Sequence, residues 1–218
     1  MAKRLFKGAE YLITEATRDD VFTPEDFTEE QLGIATTAHK FVAEEVLPRE
    51  PALERHEAGV AAALMRKAGD AGLLMIDAPA EYGGLELDKA TSMLAAERMG
   101  EAGSFSVSYA AHTGIGTLPL VYYGNAAQKE KYLGRIISGE WVAAYCLTEP
   151  GAGSDAMGGT TTATLSPCGK YYVLDGTKQF ITNGGFAQLY TVFAKIDRKH
   201  FTAFLVERGF EGVTIGPE

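Results

Sequence analysis

Apolar positions recur along this sequence with two different periods, and the change falls near Gly139. Before it the spacing is that of amphipathic helices. Thr28 and Gln31 read as a capping box, and Ile34, Ala38, Phe41 and Val42 share one face until Pro48 stops the run. A second run, from about Glu57 to Ala71, sets Val60, Leu64 and Ala68 on one face and ends at Gly72. Tyr82-Gly83-Gly84 is a loop. Asp88 caps a third helix, Lys89 to Met99, closed by Gly100. The small-residue run Phe105–Ala111 breaks at Gly114 or Gly116, and Asn125 with Gln128 opens a last helical stretch, Lys129–Ile137.

From Trp141 onward the period is two, and β-branched and aromatic residues dominate. The predicted strands are Trp141–Leu147, Thr160–Leu165, Tyr171–Leu174, Lys178–Ile181, Leu189–Lys195 and Phe201–Val206. Asp175-Gly176 predicts a hairpin turn between the third and fourth of these. No helical pattern separates the strands, so crossover units are not expected and the sheet should be mostly antiparallel. The fold class is therefore α+β. An all-α helical region over residues 1–140 feeds a small antiparallel β-barrel or sandwich over 141–218.

Composition narrows the function. With 218 residues, 46% hydrophobic and 22% charged, the chain can bury a sizeable core, and disorder is excluded. No apolar stretch approaches the roughly 18 to 20 residues of a membrane span, so no integral membrane segment is expected. The net charge is −9, and residues 1–60 contribute 7 Lys/Arg against 13 Asp/Glu. Nucleic acid is a poor partner for such a chain, because phosphate contacts need Lys and Arg. The start, MAKRLFKGAEYL, lacks the apolar run of a signal peptide, which reads as cytoplasmic and bacterial. Cys146 and Cys168 form neither a disulfide framework nor a zinc spacing, and both are expected to be reduced packing residues; no metal site is predicted.

The chemistry concentrates in Tyr145-Cys146-Leu147-Thr148-Glu149-Pro150-Gly151-Ala152-Gly153-Ser154-Asp155. A strand ends here in a turn where hydroxyls alternate with bare glycines, so a ligand can lie against main-chain N–H groups while Thr148 and Ser154 add donors. A second polar bend, Phe180-Ile181-Thr182-Asn183-Gly184-Gly185, sets an aromatic face beside a hydroxyl, which suits a flat heteroaromatic ring. Residues 151–156 also match a G-x-G-x-x-A dinucleotide fingerprint, with Asp175 at ribose distance. That fingerprint needs a helix opening at its third position. The continuation Met157-Gly158-Gly159-Thr160-Thr161-Thr162 is strand-forming, so the Rossmann reading is rejected.

The segments LTEPGAGSDA (147–156) and KQFITNGG (178–185), in this order behind a helical half, resemble the acyl-CoA dehydrogenase family over nearly the whole chain. Residues 111–116, 128–133, 166–172 and 206–210 are similar to its very-long-chain branch. The resemblance implies FAD bound between the β domain and a C-terminal helical domain, and oxidation of an acyl-CoA to the trans-2-enoyl thioester. It implies that Tyr145, Cys146, Leu147 and Thr148 line the flavin, with Thr148 donating to its pyrimidine side. Gly153 and Ser154 would meet the ribityl–diphosphate portion, and Ser154 also the substrate's pantetheine. Phe180, Ile181 and Thr182 would cover the rest of the ring, Phe180 standing where the family commonly has Trp. Electron-transferring flavoprotein is the implied electron acceptor, and the full-length protein is implied to be a homo-oligomer.

An α C–H beside a thioester is a weak acid, so the reaction needs a positioned base and a stabilised enolate oxygen, while flavin takes the hydride. In the family that base is a Glu of the C-terminal helical domain. The sequence stops at Glu218 in the β region, so it reads as a fragment, inactive alone, with a half-open flavin site. Glu149 is expected to be structural and His112 a packed residue. Ala110 and Gly114 fall where the family's acyl chain ends, and two readings stand: room for a medium-to-long acyl chain, or close helix–helix contact. Beside the dehydrogenase stand a non-catalytic flavin- or acyl-CoA-binding module and an acyl-CoA oxidase.

Overall fold

Residues 6 and 8–216 are described by a computed structural model of the chain. Residues 1–5, most of the basic start, lie outside them, as do Lys7, Pro217 and Glu218. Seven α-helices occur among the described residues: α1 (Glu29–Phe41), α2 (Glu50–Glu54), α3 (Val60–Asp70), α4 (Lys89–Met99), α5 (Ser104–Ala110), α6 (Leu118–Tyr123) and α7 (Ala126–Ile137). The predicted caps are in place. Thr28 accepts from the Gln31 N–H at 3.2 Å, Asp88 from Thr91 at 2.8 Å and Asn125 from Gln128 at 2.9 Å. Pro48 does not end the first run, because it enters a 3-10 turn, Leu47–Arg49, at a position where its missing N–H costs nothing, and α2 follows. The break after α5 is a π turn, Ala111–Gly116.

Five strands follow: β1 (Ala143–Cys146), β2 (Thr162–Leu165), β3 (Tyr172–Asp175), β4 (Leu189–Ile196) and β5 (His200–Glu207). They form one sheet in the order β1-β4-β2-β3, with β5 on β4. The hairpins β2–β3 and β4–β5 are antiparallel, but β1 and β2 both pair with β4 in parallel, so the sheet is mixed. No α-helix intervenes; the β2–β3 hairpin itself is the crossover between β1 and β4.

The expected strand Lys178–Ile181 is absent, because Phe180 takes a left-handed backbone (φ 56°) that breaks the pleat. Asp175-Gly176 is accordingly no hairpin turn. Gly176 instead crosses Thr161, where a Cβ would sit 2.3 Å from the Thr161 hydroxyl. The actual turns are at Gly169 between β2 and β3, and at Asp197-Arg198 (φ 51° and 59°) between β4 and β5. Cys168 stands exposed on the first of these turns, not packed as expected.

Helices and sheet share one core. Phe41, Leu64, Met65, Met99, Phe105 and Tyr109 pack with Val142, Ala144, Cys146 and Tyr190 of the sheet side. A second cluster seats α6 and α7 on Ala143 and Leu189.

Candidate functional site

β1 delivers the first bend. The chain leaves the sheet after Cys146, and Glu149 and Ala152 exchange backbone hydrogen bonds at 3.1 and 3.0 Å, closing Glu149-Pro150-Gly151-Ala152 as a tight turn. A Cβ at Gly151 or Gly153 would meet nothing within 4 Å, so the main chain there is bare toward solvent. Asp155 caps a single 3-10 turn, Ala156–Gly158, and no longer helix follows, in keeping with the rejected dinucleotide fingerprint.

Glu149 holds this bend from behind. Its carboxylate is buried and accepts from the Thr160 amide and hydroxyl (2.5 and 2.9 Å), the Thr161 amide and hydroxyl (3.0 and 2.5 Å) and Lys178 Nζ (2.7 Å). Burial alone would push this carboxyl up. The Lys178 ammonium, the Thr161 hydroxyl and the two amides outweigh it and hold the group well below the usual carboxylate range. Its lone pairs are spent, so it is structural.

The second bend is tied to the first. Lys178 Nζ also donates to the Leu147 carbonyl at 3.1 Å, and the Gln179 N–H donates to the Thr148 carbonyl at 2.9 Å. The two motifs therefore lie side by side. Around them the hydroxyls of Thr148, Ser154 and Thr182 make no hydrogen bond among the described residues, so three donors remain for a ligand. Phe180 is 83% exposed in its left-handed backbone, an aromatic face held out at a steric cost. Ile181 packs inward on the shared core. Tyr145 is half-buried, its ring edge-on to Phe193 at 4.9 Å, and burial raises its phenol. Cys146 faces the core, where burial pushes its thiol up to about 12.

Ala110 is exposed at the end of α5, and Gly114 lies in the π turn with open space around it. Close backbone contact belongs to Gly116 instead, where a Cβ would meet the Ala143 Cβ at 3.0 Å. His112 is fully buried: its Nδ1 accepts from the Ala143 N–H at 3.0 Å, which leaves Nε2–H to donate to the Ile136 carbonyl at 3.2 Å. Burial lowers its pKa to about 4. It is a neutral strut, as expected. Among the described residues no group of His, Cys, Asp and Glu is placed to hold a metal ion.

Two surface recesses lie away from the bends. One of about 260 Å³ is lined by Thr162, Thr164, Lys195 and Arg198, and one of about 440 Å³ by Thr37, Phe41, Glu45 and Lys67. The paired bends form an open face, which suits a flat ring covered from its other side. No local pattern marks Lys178 as the stitch, or Thr160 and Thr161 as partners of Glu149. Only the fold brings these side chains together, and no spacing rule predicts it.

The two bends thus lie beside a β sheet that is backed by a helical layer sharing its core. The chain belongs to the acyl-CoA dehydrogenase family: its N-terminal domain family matches residues 28–140 and its middle domain family residues 144–218. A probable acyl-CoA dehydrogenase of Bacillus subtilis (strain 168) is 51% identical over 212 residues, 97% of this chain and 36% of that protein. The human mitochondrial very long-chain specific acyl-CoA dehydrogenase is 44% identical over 156 residues, 67% of this chain and 24% of that protein. The crystal structure of an acyl-CoA dehydrogenase complexed with FAD from Bacillus anthracis superposes with a TM-score of 0.95 at 51% identity, covering 98% of this chain and 37% of that one. The chain thus spans about a third or less of the length of these relatives. No helix among the described residues is long and apolar enough to cross a membrane.

Proposed function

We propose that this chain forms the flavin-facing part of an FAD-dependent acyl-CoA dehydrogenase acting on medium-to-long-chain acyl-CoA in fatty-acid β-oxidation. The observation that carries the reading is the Gln179–Thr148 hydrogen bond, which holds the two hydroxyl-bearing bends side by side. The FAD in the Bacillus anthracis relative supports the choice of cofactor. Thr148 and Thr182 are the donors to the ring, with Tyr145, Leu147 and Phe180 around it and the main chain of Cys146 and Ile181 behind. Gly153 and Ser154 take the polar arm, Ser154 also facing the thioester's pantetheine. When bound, FAD supplies the hydride acceptor for the β carbon.

The open space at Gly114 and the exposure of Ala110 support the reading of room for a long acyl chain over that of helix contact. Glu149 is unavailable as the base for the α proton, because its carboxylate is already committed to Lys178, Thr160 and Thr161. Residues 1–140 and 141–218 act in this reading as a helical wall and a ring-binding β unit. Electron-transferring flavoprotein as acceptor, a homo-oligomeric full-length protein and a bacterial cytoplasmic setting complete it.

The test is a titration of the chain with FAD, followed by flavin fluorescence. Wild type is expected to bind, and Thr148→Val or Thr182→Val, which keep shape but lose a donor, each to weaken binding about tenfold. Wild type with no affinity for FAD, or both variants binding as wild type does, would overturn the reading.

A further inference from the structure

Asn183 sits inside the second bend but makes its contacts outside it. It is buried, in a left-handed backbone (φ 66°), a conformation that Asn tolerates better than most residues. Its Nδ2 donates to the Ser108 carbonyl of α5 at 3.0 Å and lies 3.5 Å from the Ala143 carbonyl of β1. Both neighbours are acceptors, which fixes the orientation of the carboxamide. Its own carbonyl closes the bend by accepting from Phe186 and Ala187 at 3.1 and 2.8 Å. Its Oδ1 is buried without a donor. A buried acceptor left unmatched is destabilising, and the side chain is retained in spite of it.

The next residue back is Thr182, whose hydroxyl is unspent, and two further back is the exposed Phe180. Phe180 and Asn183 are the two left-handed residues on either side of Ile181-Thr182. Neither conformation is intrinsically favoured. Gln179 ties the near end of the bend to Thr148, and the Tyr190 hydroxyl donates to the Gly184 carbonyl at 2.9 Å, but Asn183 is the side chain within the bend that crosses to both the helical layer and the sheet.

We propose that Asn183 is a positioning residue: its carboxamide clamps the second bend to α5 and β1 and so fixes the backbone that presents Thr182 and Phe180 to the flavin. The inference rests on the flavin reading above. It makes Asn183 act through Thr182, so the two should not contribute independently.

Two measurements test it. The first needs no cofactor: amide hydrogen exchange at Gly184, Phe186 and Ala187, whose N–H groups close the bend, in Asn183→Gly, which keeps the left-handed backbone and removes the clamp. Exchange there should rise about tenfold or more, while the rest of β1 and β4 stays protected. Unchanged exchange would overturn the clamp, whatever binds. Asn183→Asp supplies a second variant of the same shape, whose carboxylate faces the two carbonyls. Relative to wild type at the same pH, exchange and FAD affinity should recover as acid protonates it and restores a donor; no recovery relative to wild type would overturn the proposal.

The second is a double-mutant cycle on FAD affinity. Asn183→Gly and Thr182→Val should each weaken binding about tenfold, and the pair no more than about twofold beyond the worse single. A product of the two, about a hundredfold, would overturn the action through Thr182. If exchange rises but wild type takes no FAD, the clamp stands, and its role toward the flavin falls together with the proposed function.

Discussion

The buried pair Lys178–Glu149 carries the largest single-residue consequence. Lys178→Met leaves the Glu149 carboxylate buried among Thr160 and Thr161 without its counter-charge. The expected loss is about 3–5 kcal/mol in denaturant unfolding at neutral pH. The pH dependence has a definite sign. The folded carboxyl is held below its ordinary value of 4.5, so its stabilisation is present above pH 4.5 and is lost as pH falls further. His112 titrates in a different window. It is neutral in the fold with a pKa of about 4, against 6.5 when free, so its contribution is full above pH 6.5 and declines toward pH 4. Stability should fall by about 1.4 kcal/mol per pH unit across that interval on account of this group. His112→Gln should flatten the slope, and an unchanged slope would show that His112 does not carry it.

At the scale of elements, the seam between α3 and the end of α7 is made by two glycines. A Cβ on Gly69 would sit 2.2 Å from the Ser138 carbonyl oxygen, and one on Gly139 would sit 2.4 Å from that of Met65. Gly69→Ala should cost about 1–3 kcal/mol, because backbone on both sides must separate; chemical denaturation measures it. The helical half could be read from the sequence because its signals are local: Thr28–Gln31, Asp88 and Asn125–Gln128 announce helix starts within one turn. The β half was harder to read. The parallel pairing of β1 with β4 depends on which strands meet, and Phe180 turns a strand-like run into a bend through a backbone angle that no side-chain pattern encodes. Both bends are visible as motifs. Their stitching through Gln179, Lys178 and Asn183 is not, since each of those bonds joins segments distant in sequence.

At the scale of the molecule, helices and sheet have no separate cores to fall back on. Val142, Ala144, Cys146 and Tyr190 pack into the cluster of Phe41, Leu64, Met99 and Phe105, and His112 bonds α7 and β1 together. Lys131 and Tyr132 of α7 reach Glu207 of β5 at 2.6 and 2.8 Å. The chain should therefore unfold in one transition. Trp141, whose ring lies against Tyr132 and Arg135, is the sole tryptophan and reports from this seam. Its fluorescence and the far-ultraviolet circular dichroism should give coincident midpoints, and two separated transitions would show independent halves.

If the bends at Thr148 and Thr182 form one ring-binding face, FAD must touch both at once. Amide chemical-shift mapping on isotopically labelled chain during an FAD titration tests it most directly. Shifts are expected to cluster at Leu147–Thr148, Gly153–Ser154 and Phe180–Thr182, with the recesses at Lys195 and Lys67 silent. Shifts centred on either recess, or on one bend without the other, would contradict it.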